Sequence, residues 1–157
     1  TLWYGALLKQ SAGALQDLTD KQADLGGDDL LQSLVEAGTY DGAFYGVPYY
    51  GGARIVVYRK DLMEAAGIAI PTTIEEFVQA GIALKEANAS TPNFSGIYFP
   101  GKYWYAEMPI IWQDGGDIAV KDGDSWTVVL ASDESIAGLE HVKTIMDEAS
   151  GAPKDGD

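Results

Sequence analysis

The 157-residue sequence predicts an α/β fold, and three observations carry that expectation. Segments with apolar residues at helical spacing alternate with short runs rich in aromatic and β-branched residues. Helix starts and stops are marked by capping residues and by glycines. Gly, Pro and Asp pairs punctuate the intervals between these segments.

The elements follow in order. Residues 3–12 place Leu7 and Leu8 ahead of Gly13, the pattern of a helix closed by glycine. A turn-rich stretch with spaced Leu anchors runs from Ala14 to Asp20. Asp28–Ala37 opens on two acids, which favour a helix N-terminus. It carries Leu30, Leu31, Leu34 and Val35 at helical spacing up to Gly38. Asp41-Gly42 signals a turn. Residues 44–58 (FYGVPYYGGARIVVY) read as two strands interrupted at Gly51-Gly52, where the backbone bends or approaches something closely.

The second half is more strongly punctuated. Asp61–Ala66 is a short helix closed by Gly67. Thr73 with Glu76 three residues on forms a capping box, and Ile74, Phe77, Val78, Gly81 and Ile82 follow on one helical face. Gly81 would let that helix approach a neighbour closely. Phe94–Phe99 reads as a strand. Tyr103–Trp112 (YWYAEMPIIW) is the most aromatic stretch and ends at Asp114-Gly115-Gly116. A hairpin is expected around Asp122-Gly123-Asp124, with Trp126–Leu130 returning. Ser132 or Asp133 caps a last helix bearing Ile136, Leu139, Val142, Ile145, Met146 and Ala149.

Composition removes several function classes. With 46% hydrophobic and 22% charged residues the chain is globular in type. Ten basic against 24 acidic residues give a net charge of −14, so nucleic acid and anionic membrane surfaces are disfavoured as partners. There is no Cys, which excludes disulfides, zinc-thiolate sites and cysteine nucleophiles. His141 is the only His, so a His-based zinc site or Ser-His-Asp triad is difficult to assemble. Asp122-Gly123-Asp124 and Gly26-Gly27-Asp28-Asp29 lack the alternating oxygen ligands of a calcium loop and read as turns. No metal, cofactor or catalytic residue is expected. Thr1 is not an initiator Met, no basic signal-peptide region opens the chain, and the last residues trail off, so both ends are expected to be cuts.

Taken together, residues 45–77 resemble the signature stretch of the family 1 extracellular solute-binding proteins, relatives of the maltose-binding protein. Tyr45-Gly46-x-Pro48 matches a strand that crosses between two lobes in that family. Tyr58, Lys60, Asp61, Leu62, Gly67, Pro71, Thr73, Glu76 and Phe77 fall in the matching places downstream. Residues 13–20 resemble a segment of the first lobe, and Asp114-Gly115-Gly116 with the hairpin and helix beyond resembles the second. The resemblance implies a periplasmic-binding-protein-like fold of class II. Residues 1–50 would be the tail of the N-terminal lobe, and residues 51–157 the first part of the C-terminal lobe. Gly51-Gly52 would be a hinge.

It also implies a function. The chain would be part of a sugar or oligosaccharide receptor, not an enzyme. That receptor would deliver ligand to an ABC permease from an extracellular or periplasmic location, tethered as a lipoprotein by residues absent here. Aromatic platforms and a few directed polar groups suit sugars, so the candidate ligand contacts are Tyr105, Trp104 and Tyr103, then Arg54, Tyr50 and Gly52. Tyr105 falls on a ligand-stacking tyrosine of the maltose-binding relatives. Tyr103 and Gly52 stand where those relatives carry acids, which speaks against maltose itself. Three successive aromatics cannot all face one way, so at least one is expected in the core. Arg54 either hydrogen-bonds ligand or pairs with an acid at a lobe edge. Trp112 and Trp126 are expected in packing, and His141 as a solvated or capping side chain. The alternatives are a receptor of the same fold for a polyol, glycerol phosphate or an acidic sugar and, further off, a glycoside hydrolase, for which only Glu107 offers a carboxylate. The net charge and the single prominent Arg54 argue mildly against an anionic cargo. With the remainder of its chain missing, the piece would form one wall of a split site and bind sugar weakly or not at all.

Overall fold

The computed structural model describes residues 12–123 and 125–156. The helix expected at residues 3–12 lies almost wholly outside them. The chain divides into two compact units, Thr1–Ala53 and Arg54–Asp157.

Within the first unit, 3₁₀ turns at Ala12–Ala14, Thr19–Lys21 and Gly27–Asp29 precede helix α1, Gln32–Ala37. The single helix expected over Asp28–Ala37 is therefore shorter and broken. Leu30 and Leu31 are both extended, and the Leu30 side chain folds back over Gly26, where a Cβ would meet its Cδ2 at 2.9 Å. Gly26 sits at φ 128°, a conformation that only glycine tolerates.

Strands β1 (Thr39–Tyr40) and β2 (Ala43–Phe44) form an antiparallel hairpin in which Thr39 opposes Phe44 and Tyr40 opposes Ala43. The turn expected at Asp41-Gly42 closes it, with φ of 51° and 78°. Both signs are positive, as a two-residue hairpin turn needs to match the strand twist. Phe44 is 2% exposed and Val35 is 7% exposed; these two anchor the unit. The loop at Leu18-Thr19 docks on the hairpin: Leu18 N–H donates to Phe44 O at 2.7 Å, and Phe44 N–H to Thr19 Oγ1 at 3.0 Å.

Residues 45–59 contain neither of the two strands that the sequence suggested. Only Ala43–Phe44 is paired, and residues 47–58 make no backbone hydrogen bond to any described residue. Ile55, Val56 and Val57 have strong β propensity, yet they are 79%, 67% and 84% exposed. Strand propensity is realised against a neighbouring strand, and none of the described residues supplies one.

In the second unit, helix α2 (Lys60–Ala66) ends as expected at Gly67, whose φ is 67°. Gly67 N–H donates to Glu64 O and Ile68 N–H to Met63 O, satisfying the last carbonyls. Helix α3 (Ile74–Ala87) starts at Thr73, whose Oγ1 accepts from Glu76 N–H at 3.2 Å. The Glu76 carboxylate accepts in return from the backbone and hydroxyl of Thr72, one residue earlier than a standard capping box would use. Gly81 does meet a neighbour: a Cβ there would run into Ile97, and a Cβ on Gly96 would run into the Gly81 carbonyl.

The segment 94–99 is not the expected strand. Its backbone is satisfied instead by the chain end. Gly96 and Ile97 N–H both donate to Ala149 O, while the buried Ser150 Oγ accepts from Phe99 N–H and donates to Phe99 O. Helix α4 (Trp104–Gln113) is followed by hairpin β3 (Ala119–Asp122) and β4 (Ser125–Val128). Helix α5 (Asp133–Thr144) is capped by Ser132 Oγ on Ser135 N–H and continues into a π-helical turn at Ile145–Ala149. Gly138 brings α5 against α4, since a Cβ there would lie 2.6 Å from Ile111 Cα. Val78, Phe99, Ile110, Val142 and Ile145 form the core of this unit. Ile136 and Leu139, on the apolar pattern of α5, are 44% and 40% exposed.

Candidate functional site

The candidate site is built at the N-terminus of α4. The loop leading into it is tied to the end of the chain: Gly101 N–H donates to Pro153 O and Lys102 N–H to Gly156 O. A Cβ on Gly101 would meet the Lys154 carbonyl, so that approach depends on glycine. Tyr103 takes the N-cap position without a side-chain cap bond, and Trp104 and Tyr105 occupy the first turn of the helix. Pro109, inside the helix, has no N–H to offer the Tyr105 carbonyl one turn back.

Trp104 and Tyr105 stack, with ring centroids 3.8 Å apart and planes 26° from parallel. Tyr103 leans on Tyr105 at 6.1 Å and 57°. None of the three is core: Trp104 and Tyr105 are 43% and 45% exposed, and Tyr103 is half-buried. Sequence reasoning expected at least one inside. The rings avoid burial by packing on one another, which shields apolar area without leaving the surface.

Arg54 joins this cluster from the other end of the unit. Its guanidinium carbon lies 5.0 Å from the Tyr103 ring centroid and 5.1 Å from that of Tyr105. Both distances are within the range at which a cation is attracted to a ring face. Of the two expectations for Arg54, pairing with an acid is not what the described residues show, since their ion pairs do not include it. Four of the six candidate residues thus come together.

Tyr50 and Gly52 belong to the first unit. Tyr50 is 79% exposed and meets Tyr49 edge-on at 5.8 Å. Gly52 is exposed, with nothing within 4 Å of where a Cβ would be.

Glu107, one turn into α4, is partly buried, and the loss of solvent raises its carboxyl above the ordinary range. It has no ion-pair partner among the described residues. Among those residues no cluster of three or more His, Asp or Glu could hold a metal ion, and no helix is long and apolar enough to cross a membrane.

Trp112 and Trp126 are surface residues, 50% and 61% exposed, and Trp112 Nε1 donates to Asp117. His141 is neither solvated nor a cap. Its Nδ1 donates to the Asp114 carboxylate at 3.0 Å in a largely covered position, tying α5 to the end of α4. These residues are 27 apart, and no sequence spacing signals their meeting.

The comparison with known families decides the ancestry. The model of the bacterial extracellular solute-binding proteins matches residues 2–156. The chain belongs to that family.

Among curated members of this solute-binding family, the chain is 34% identical over 146 residues to the diacetylchitobiose-binding protein DasA of Streptomyces coelicolor. It is 32% identical over 124 residues to a mannitol-binding protein of Pseudomonas aeruginosa. These matches take in 92% and 78% of the chain but 33% and 27% of the relatives, so the chain spans about a third of their length. Among solved structures, maltose-bound MalE3 of T. maritima aligns with a TM-score of 0.67 at 24% identity, covering 91% of this chain and 36% of that one. A solute-binding protein of Agrobacterium radiobacter in complex with ribitol aligns at 0.65 and 28% identity, covering 99% and 39%. The expected periplasmic-binding-protein-like α/β fold is thereby established, and the described structure is a part of it.

Proposed function

We propose that this chain is part of an extracellular receptor that captures a sugar or oligosaccharide and hands it to an ABC importer. The observation that carries the reading is the exposed Tyr103–Trp104–Tyr105 cluster with Arg54 beside it. Sugar rings present C–H faces that pack on aromatic faces, and their hydroxyls accept from a guanidinium. Family membership and relatives named for diacetylchitobiose and mannitol support the choice of ligand class.

In this reading the aromatic cluster is one wall of the ligand site, and Tyr50 and Gly52 are further ligand contacts on the resemblance to the family. The first unit is the tail of one lobe and the second the start of the other. Gly51-Gly52, just before the division at Ala53, is where they flex. Ligand prefers the closed form, and that difference in affinity drives closure. The loaded receptor then docks on a membrane permease, outside the cell or in a periplasm, held there by a lipid-modified N-terminal segment. It returns its cargo chemically unchanged.

Thermal unfolding against a panel of sugars and polyols tests this, for the chain and for any longer protein that contains it. A ligand at about 100 times its dissociation constant adds roughly 2.7 kcal/mol, a shift of several degrees. A saturable shift of the longer protein with one sugar, recovered intact, and little or no shift of the chain alone are the expected results. Cleavage of the sugar would sink the receptor reading. A shift with mannitol or ribitol alone would move the ligand to the polyols, which the mannitol-binding relative and the ribitol complex make the second reading.

A further inference from the structure

We infer that the aromatic cluster takes a sugar ring bearing a carboxylate, with Arg54 as the group that selects it. This rests on the reading of the cluster as a sugar site. The first observation is where the guanidinium lies. In a chain of net charge −14, an exposed arginine has many acids to pair with, yet Arg54 packs on the Tyr103 and Tyr105 rings. Arg59, Lys60, Lys143 and Lys154 do pair, with Asp61, Glu64 and Asp147. Glu107, the acid nearest the cluster in sequence, forms no ion pair with it. The guanidinium therefore lies beside the rings with no ion-pair partner among the described residues.

Its chemistry follows from that arrangement. Ring faces attract the charge, and none of the hydrogen bonds described uses an Arg54 N–H. A carboxylate matches the guanidinium fork with two parallel bonds, and such charge-assisted bonds are roughly twice as strong as those to a neutral hydroxyl. Lys102, next to Tyr103 in sequence, is a second exposed cation outside every ion pair described. The overall negative charge does not overrule this. At physiological salt, fields decay over about 8 Å, so the nearest charges govern a bound group while the distant ones act mainly on encounter.

The test is a titration of the ¹⁵N-labelled chain followed by NMR at the Trp indole and Arg Nε–H signals, with Trp104 assigned by its loss in Trp104→Phe. The probes are digalacturonate, its methyl ester, and N,N′-diacetylchitobiose as a neutral control. The expected result is movement of the Arg54 and Trp104 signals by digalacturonate, with an affinity at least about tenfold above that for the ester. Arg54→Gln, at an exposed position, removes that preference and keeps the dispersed amide spectrum of the fold. Equal affinity for acid and ester, or a response to diacetylchitobiose alone, overturns the carboxylate inference and leaves a sugar receptor standing. A preference that survives Arg54→Gln overturns the role of Arg54. Silence of both signals to all three probes, in the chain and in a longer protein that contains it, overturns the cluster as a sugar site, and with it both readings.

Discussion

Asp147 shows how much a single surface charge depends on its neighbours. It accepts from Lys143 Nζ at 2.8 Å, one turn back on α5, and from Lys154 Nζ at 2.9 Å in the segment that follows. The two ammonium groups hold its carboxyl at about 2, against an ordinary value near 3.8. A carboxyl whose pKa is lowered by folding stabilises the fold while it is ionised, above the unfolded value. That contribution is lost as pH falls from about 4 through about 2, where the folded form also takes up its proton. Asp147→Asn is therefore expected to lower the melting temperature at pH 7. Its deficit against the parent shrinks between pH 4 and 2 and disappears below that. Added salt shrinks it at every pH, because the pair is exposed. A deficit unchanged at pH 2 would mean that the carboxylate matters for its shape and not for its charge.

At the scale of elements, α3 is the case in which sequence and structure agree most fully. Thr73 caps it, Glu76 bonds back to Thr72, and Val78 and Gly81 are buried on the face that the spacing marks. Thr73→Ala removes the acceptor for Glu76 N–H and is expected to cost about 1 kcal/mol in urea unfolding. Thr73→Ser retains the acceptor and should recover most of that loss; equal losses in the two variants would assign the effect to packing of the threonine methyl group. Helices α2, α3 and α5 were legible because caps and closing glycines act within one turn of chain. The strands expected at 44–58 and 94–99 were not realised, because a strand is a statement about its neighbour. Residues 94–99 find partners in Ala149 and Ser150, about 50 positions away, and residues 47–58 find none among the described residues. The same limit applies to the site. The aromatic run at 103–105 is plain in the sequence, but its contact with Arg54 joins positions 49 apart. No local pattern encodes that contact, nor the stacking that keeps all three rings at the surface.

Across the whole molecule, the two units differ in what holds them. The second rests on a core of Val78, Phe99, Ile110, Val142 and Ile145, with Ile74, Phe77, Ile82, Ile97 and Met146 packed around it. Among the described residues, the first has Val35 and Phe44 as its buried apolar side chains and a hairpin of two-residue strands. Each fully buried large apolar side chain contributes roughly 1.5–3 kcal/mol, so the described part of the first unit has far less to set against the entropy of ordering its backbone. Regions with few buried contacts open locally before the molecule unfolds as a whole. Amide hydrogen exchange on the chain should therefore resolve three classes. Val142 and Ile145 exchange slowest, near the rate set by global unfolding. Val35 and Phe44 exchange faster, through opening of the first unit alone. Tyr49 through Tyr58 exchange at close to the rates of an unstructured peptide, since their amides donate to no described group. Equal protection of Phe44 and Ile145 would show that the two units unfold as one. Protection at Ile55–Val57 would show that this β-branched stretch finds a strand to pair with in solution. If a longer protein containing the chain protects 55–57 while the chain itself does not, the missing strand lies in the residues that distinguish them.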